Sequence, residues 1–211
     1  MSREQEWLTQ IAAGVGKVRI RQPIIHHITN YISINDCANA TLAIGASPIM
    51  ANDPDEVAEV AAKSVALVLN LGTPNTRMLD SLEAAGKQAN LLGIPVVLDP
   101  VGVGFTRVRT RAVAQLLLSV RMTAVRGNLA EISRMAGLEV GSRGIDALAV
   151  QNNAADTVKR AAQKLGCIVA ATGVSDYISD GRTVLRIDNG DPIMARVTGT
   201  GCMTTSLVAA C

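Results

Sequence analysis

The sequence predicts an α/β fold built on a mainly parallel sheet, and three observations carry that prediction. Short apolar runs alternate with longer segments of helical periodicity, glycines close two of those segments, and one Asp-Gly pair separates two late strand patterns. Residues 46–50, 66–71, 95–98, 123–125 and 167–172 are the strand candidates, each a compact apolar run of the kind buried on both faces of a parallel sheet. Helices are expected over 55–63, 76–92 and 153–165, with Gly93 and Gly166 as C-terminal stops. Residues 176–179 and 183–187 flank Asp180-Gly181, which predicts a β-hairpin added to the main sheet. The run Gly141-Ser142-Arg143-Gly144 predicts a loop.

No linker, low-complexity tract or internal repeat divides the chain, so residues 1–211 are expected to form a single domain. The chain stops at Leu207-Val208-Ala209-Ala210-Cys211, within an apolar helical pattern and without a cap, which predicts a domain that lacks its C-terminal helices. Apolar residues make up 48% and charged residues 18%, with a net charge of +2, as in a compact globular chain. One Phe, one Trp and two Tyr supply too few stacking platforms for nucleic acid, and no basic block tracks a phosphate backbone. The charged start, Met1 to Glu6, resembles neither a signal peptide nor a membrane span, so no membrane partner and a cytoplasmic location are expected. Cys37, Cys167, Cys202 and Cys211 are widely spaced, a pattern of reduced thiols rather than of disulfides or a zinc site.

The most informative local feature is Arg196-Val197-Thr198-Gly199-Thr200-Gly201-Cys202, where an apolar strand is expected to give way to a helix. Glycines let backbone approach a ligand without a Cβ, and the first N–H groups of a helix are free to bind an anion. Gly199, Thr200 and Gly201 are therefore a candidate anion hole, with Cys202 in the first helical turn, where the dipole favours thiolate. The same Gly-x-Gly pattern is also common as plain α/β punctuation, and buried cysteine is usually inert filler.

Further candidates sit at the ends of strand patterns, where open α/β sheets bind ligands. Asp99 follows Val96-Val97-Leu98 and could orient a magnesium-bound water, or simply form a turn. Arg126 offers a phosphate-pairing guanidinium, and Glu131 a carboxylate near a helix start, although Asn128 and Glu131 also read as a capping box. Thr172-Gly173 offers a hydroxyl and close backbone approach to a nucleotide, or a turn. Upstream, Asn30 could bond a polar substrate and Met50 could pack against a heterocycle or the core. His26 and His27 are adjacent, so on a strand they face opposite ways and suit a structural or binding role better than a metal pair.

Taken in order, Ile28-Thr29-Asn30, Gly45-Ala46-Ser47-Pro48-Ile49-Met50, Leu69-Asn70-Leu71-Gly72-Thr73, Leu98-Asp99-Pro100-Val101-Gly102, Arg126-Gly127-Asn128 with Glu131, Thr172-Gly173 and Thr198-Gly199-Thr200-Gly201-Cys202 closely resemble hydroxyethylthiazole kinases. The resemblance spans nearly all of the chain. It implies a ribokinase-like fold and phosphorylation of the primary alcohol of 4-methyl-5-(2-hydroxyethyl)thiazole by ATP with Mg2+, feeding thiamine synthesis. It further implies that Met50 and Gly199 contact substrate, that Arg126 and Thr172 contact ATP, and that Cys202 lies beside the reacting hydroxyl. Asp99 and Glu131 match the magnesium region, and a homotrimer with the thiazole site at a subunit boundary is expected. Two readings from other classes stand beside it: a hydrolase using Cys202 with His26 or His27, and a nucleotide-binding sensor without chemistry.

Overall fold

The computed structural model describes residues 3–138 and 153–211, so the loop expected at 141–144 lies outside the described residues. Among the described residues, eight strands form one sheet in the order β2-β1-β3-β4-β5-β6-β7-β8. These are β1 (Ile24–Ile28), β2 (Ser47–Ile49), β3 (Ala66–Asn70), β4 (Val96–Asp99), β5 (Ala124–Asn128), β6 (Ile168–Thr172), β7 (Asp176–Ser179) and β8 (Val184–Ile187). The first six pair in parallel, and β7 and β8 extend the sheet as the expected antiparallel hairpin.

Among the described residues the α-helices are α1 (Arg3–Arg21), α2 (Ile34–Ile44), α3 (Val57–Ala62), α4 (Thr76–Leu91), α5 (Arg107–Ser119), α6 (Leu129–Ala136), α7 (Ala154–Leu165) and α8 (Thr200–Ala210). Strand alternation divides the core between the two faces of the sheet. Leu67, Leu69 and Leu71 join the larger cluster, with Leu82 of α4, Leu116 of α5 and Val158 of α7. Ala66 and Val68 point the other way, to a smaller cluster with Val18 of α1 and Ala210 of α8. That second face also carries Asn70, two residues beyond Val68, and Asp99, whose side chain meets Thr205 of α8.

Each strand and helix expected within residues 46–187 is present, with ends shifted by at most three residues. Pro95 lies outside β4 because it has no N–H for the ladder, and β5 runs on to Asn128 through its pairing with β6. Gly166 caps α7 in the left-handed conformation, as its position after the last apolar residue predicted. The strand expected before Gly199 is absent. A 3-10 helix, Pro192–Arg196, occupies the approach, because Pro192 sits at its first turn and the Asp191 side chain accepts from Ile193 N–H. Periodicity also passed over β1, α1, α2 and α5. No helix among the described residues is long and apolar enough to cross a membrane.

Candidate active site

The strand order places β1 between β2 and β3, so the chain leaves β1 toward one side of the sheet and continues from β3 toward the other. This is the switch point at which open parallel sheets form a crevice beyond their carboxyl ends. Asn30 lies two residues past β1, while Asn70, Asp99 and Thr172 are the last residues of β3, β4 and β6. Asn70 and Asp99 are direct cross-strand partners, which sets their side chains next to one another. Helix α8 packs over this edge and delivers Cys202 and Thr205 to it.

Around Cys202 the polar groups are closely matched. Asn30 Nδ2 and Asn70 Nδ2 both donate to Cys202 Sγ, at 3.3 and 3.2 Å. Asn30 Nδ2 also donates to Asn70 Oδ1 at 3.0 Å, and Asn70 Nδ2 to Asp99 Oδ2 at 3.1 Å. The same Asp99 oxygen accepts the Thr205 hydroxyl at 2.8 Å. Asn30 Oδ1 takes the N–H groups of Ile32 and Ser33, which shapes the turn into α2. Asn30 is thus committed on both ends of its amide, and as placed it has no donor left for the polar substrate contact expected of it.

The start of α8 is tailored to close approach. Gly199 is its N-cap at φ 82°, a left-handed value that suits glycine, and a Cβ there would lie 2.8 Å from Cβ of Ser33, the residue before α2. The first intrahelical bond runs from Met203 N–H to Gly199 O, so the N–H groups of Thr200, Gly201 and Cys202 have no acceptor within the helix. Arg126 lies directly over this positive end, and a Cβ on Gly201 would collide with its Nη1. Its Nη2 donates to the Thr172 hydroxyl, and its Nη1 stands 3.8 Å from Asp99 Oδ2, while the buried Nε has no partner. A guanidinium packed on a helix N-terminus places two positive features together, an arrangement an anionic ligand would stabilise.

Burial pushes the Asp99 carboxyl up to about 6, opposed by the Arg126 guanidinium and the Thr205 hydrogen bond. Asp99 is only 1% exposed and is no turn former. Glu131 completes the capping box with Asn128, and its other oxygen accepts Gly102 N–H at 2.7 Å, tying the start of α6 to the turn after β4. Among the described residues no group of three or more His, Cys, Asp or Glu could hold a metal ion. The donor set suits Mg2+ all the same. That ion is commonly held by one or two carboxylates with water and substrate phosphates, and Asp99 and Glu131 lie close enough for the Glu131 charge to act on Asp99.

Met50 follows β2 near the sheet edge, partly exposed and outside this hydrogen-bonded network. The histidines take no part in it either. On β1 they face opposite ways, His26 donating Nε2–H to Ala51 O at 2.9 Å and His27 donating Nδ1–H to Ile25 O at 3.0 Å. Neither bonds Cys202, so a Cys/His pair is not formed. Three residues given no role in advance matter here: Asn70, Thr205 and Arg109. Arg109 of α5 donates to the carbonyls of Leu71, Gly72 and Val101, fastening together the turns that leave β3 and β4. Asn70 carried a signal that was available, a polar residue closing an apolar strand as Asp99 does.

Residues 15–211 match the model of the hydroxyethylthiazole kinase family. The chain belongs to that family. A hydroxyethylthiazole kinase of Ruminiclostridium cellulolyticum is 48% identical over 206 residues, covering 96% of this chain and 76% of the relative. The solved structure of the hydroxyethylthiazole kinase from Pyrococcus horikoshii superposes with a TM-score of 0.87 at 39% identity, over 96% of this chain and 76% of that one. A ribokinase-like superfamily protein from Enterococcus faecalis shares the fold at 12% identity, with a TM-score of 0.63 over 89% of this chain and 69% of its own. The family's fold is therefore ribokinase-like, as the ordered motifs implied. Membership in this kinase family gives no support to the hydrolase and sensor readings.

Proposed function

We propose that this chain transfers the γ-phosphoryl group of ATP to the primary hydroxyl of 4-methyl-5-(2-hydroxyethyl)thiazole. The observation that carries the reading, beside family membership, is the position of Cys202 in the first turn of α8, next to the Gly199-Thr200-Gly201 backbone and the Arg126 guanidinium. Cys202 serves as the base: its sulfur takes the hydroxyl proton while the alcohol oxygen bonds the γ-phosphorus. The bond from that phosphorus to the bridging oxygen breaks, and its electron pair leaves with ADP. The free N–H groups of α8 and Arg126 stabilise charge on the phosphoryl oxygens, and Thr172 holds Arg126 in place. Asp99 and Glu131 would hold Mg2+, which would supply neutralisation of phosphate charge.

Met50 and Gly199 are assigned to the thiazole. Asn30 moves from substrate contact to support of the base, because both ends of its amide are engaged. The assembly belongs to the same proposal: a homotrimer with the thiazole site at the subunit boundary, supported by the exposed apolar side chains of Tyr31, Ile32 and Ile49 around the crevice. Four unpaired cysteines support a reducing, cytoplasmic setting. The test is incubation with ATP, Mg2+ and hydroxyethylthiazole, with the phosphorylated alcohol followed by mass spectrometry. Formation of the phosphate ester is expected, and ATP binding without any ester would overturn the reading.

A further inference from the structure

We infer that Asn70 is a positioning residue for Cys202, an amide branch point that holds the α8 sulfur and the β4 carboxylate in one fixed relation. The inference rests on the kinase reading and on Cys202 as its base.

Asn70 is 1% exposed, and its hydrogen bonds are all to groups at the crevice. Its Nδ2 carries two hydrogens and has two acceptors, Asp99 Oδ2 at 3.1 Å and Cys202 Sγ at 3.2 Å. Its Oδ1 accepts from Gly72 N–H at 2.9 Å and Asn30 Nδ2 at 3.0 Å. The orientation of the amide follows from these partners. Turning it over would set NH2 against two donors and its oxygen against a carboxylate and the sulfur, losing all four bonds.

The sulfur therefore receives two N–H donors, from Asn70 and Asn30, and is held as an acceptor. That is the role a base needs, and Cys202 itself remains partly exposed. Backbone packing keeps the second amide in place. Gly72 sits against Asn30 so closely that a Cβ there would lie 2.6 Å from Asn30 Cβ and 2.7 Å from its Nδ2. Asn70 is anchored in turn by its strand, since it is the last β3 residue and pairs with Asp99. A side chain on a rigid sheet edge can thus fix the position of an atom carried by a separate helix.

A double-substitution cycle with the full chain separates this role from structural support. Asn70→Ala is expected to lower kcat on the order of tenfold to a hundredfold, with KM for ATP and thiazole within about threefold of the parent. In a Cys202→Ala background the same change should alter kcat by less than about twofold, because the group it positions is gone. Equal fold-losses in the two backgrounds, or parental kcat in Asn70→Ala, would overturn the inference. Asn70→Leu keeps the approximate size and removes the donors without setting a second carboxylate against Asp99; it is run alongside, with ATP binding as the check on folding, and must show the same background dependence. A Cys202→Ala enzyme with parental kcat would instead refute the base assignment, a result distinct from a crippled Cys202→Ala beside an unaffected Asn70→Ala.

Discussion

The two ends of the crevice are finished to different degrees. Around Cys202 nearly every polar atom has its partner: Asn30, Asn70, Asp99 and Thr205 form one closed set of hydrogen bonds beneath the sulfur. Around Arg126 the accounts stay open, with Nε buried and unpartnered, the Asp99 contact loose at 3.8 Å, and three helical N–H groups aimed at nothing in the helix. The difference teaches what each end awaits. On the proposed mechanism the first end holds one sulfur still against a neutral alcohol, which favours a rigid, satisfied shell. On the same proposal the second end receives several negative charges, and unmet donors beside a helix N-terminus gain partners when such charges arrive.

Removing the sulfur is expected to have the largest effect. Cys202→Ala should lower kcat by about a hundredfold or more and leave ATP binding nearly unchanged, since the proposed phosphate contacts come from backbone N–H groups that the substitution preserves. Cys202→Asp should recover part of that loss, because Asn30 and Asn70 can donate to a carboxylate as they do to sulfur. Steady-state kinetics with calorimetric ATP binding decide it. An Asp variant that binds both substrates and turns over no faster than Ala would remove the simple base role.

The open end is tested in two ways, and the first touches no polar group. Gly201→Ala introduces a methyl against Arg126 Nη1 and should raise KM for ATP about tenfold while sparing KM for thiazole. Arg126→Ala should do the same by deleting the cation. A thiazole-selective defect in either variant would break the division between the two ends.

The smallest effect concerns Asp99, which both ends share. Its folded pKa, about 6, lies above the ordinary 3.8, so its contribution to stability is full below 3.8 and is lost as pH rises through 6. Asp99→Asn should therefore unfold at pH 8 with a stability equal to the parent's or greater by up to about 3 kcal/mol, although phosphoryl transfer falls. The buried histidines act in the opposite sense. Burial lowers His26 and brings His27 down to about 4, so their contribution is present above 6.5 and is lost as pH falls toward 4. Denaturant melts at pH 8 and pH 4 should show the advantage of Asp99→Asn disappearing on acidification. In the parent, kcat/KM should fall below about pH 6 as Asp99 protonates, and in Arg126→Ala that limb should move upward, since the guanidinium holds the carboxyl down. A limb that stays fixed would separate Asp99 from Arg126.

Much of this molecule was written in local pattern. Apolar runs such as 66–71 and 95–98 announced central strands because a parallel strand is buried on both faces, and Asp180-Gly181 announced its hairpin because few other pairs take that turn. The order of short motifs from Ile28 to Cys202 resembled that of the family closely enough to point to it, and the family model matches residues 15–211. Periodicity passed over β1, where two adjacent histidines break an apolar run, and α1, whose early turns are exposed and need no buried stripe. It also expected a strand before Gly199, where Asp191 and Pro192 instead start a 3-10 helix.

Tertiary structure alone decided the wiring of the site. That Asn30 and Asn70 both donate to Cys202, across 172 and 132 residues of chain, depends on β1 and β3 being neighbours and on α8 folding back over them. The sequence by itself determined that Asp99 and Thr172 stand at the ends of strands, because propensity and burial act over a few neighbours. Which of those residues touch is set by sheet order and helix packing, and these are properties of the whole chain that no local run encodes.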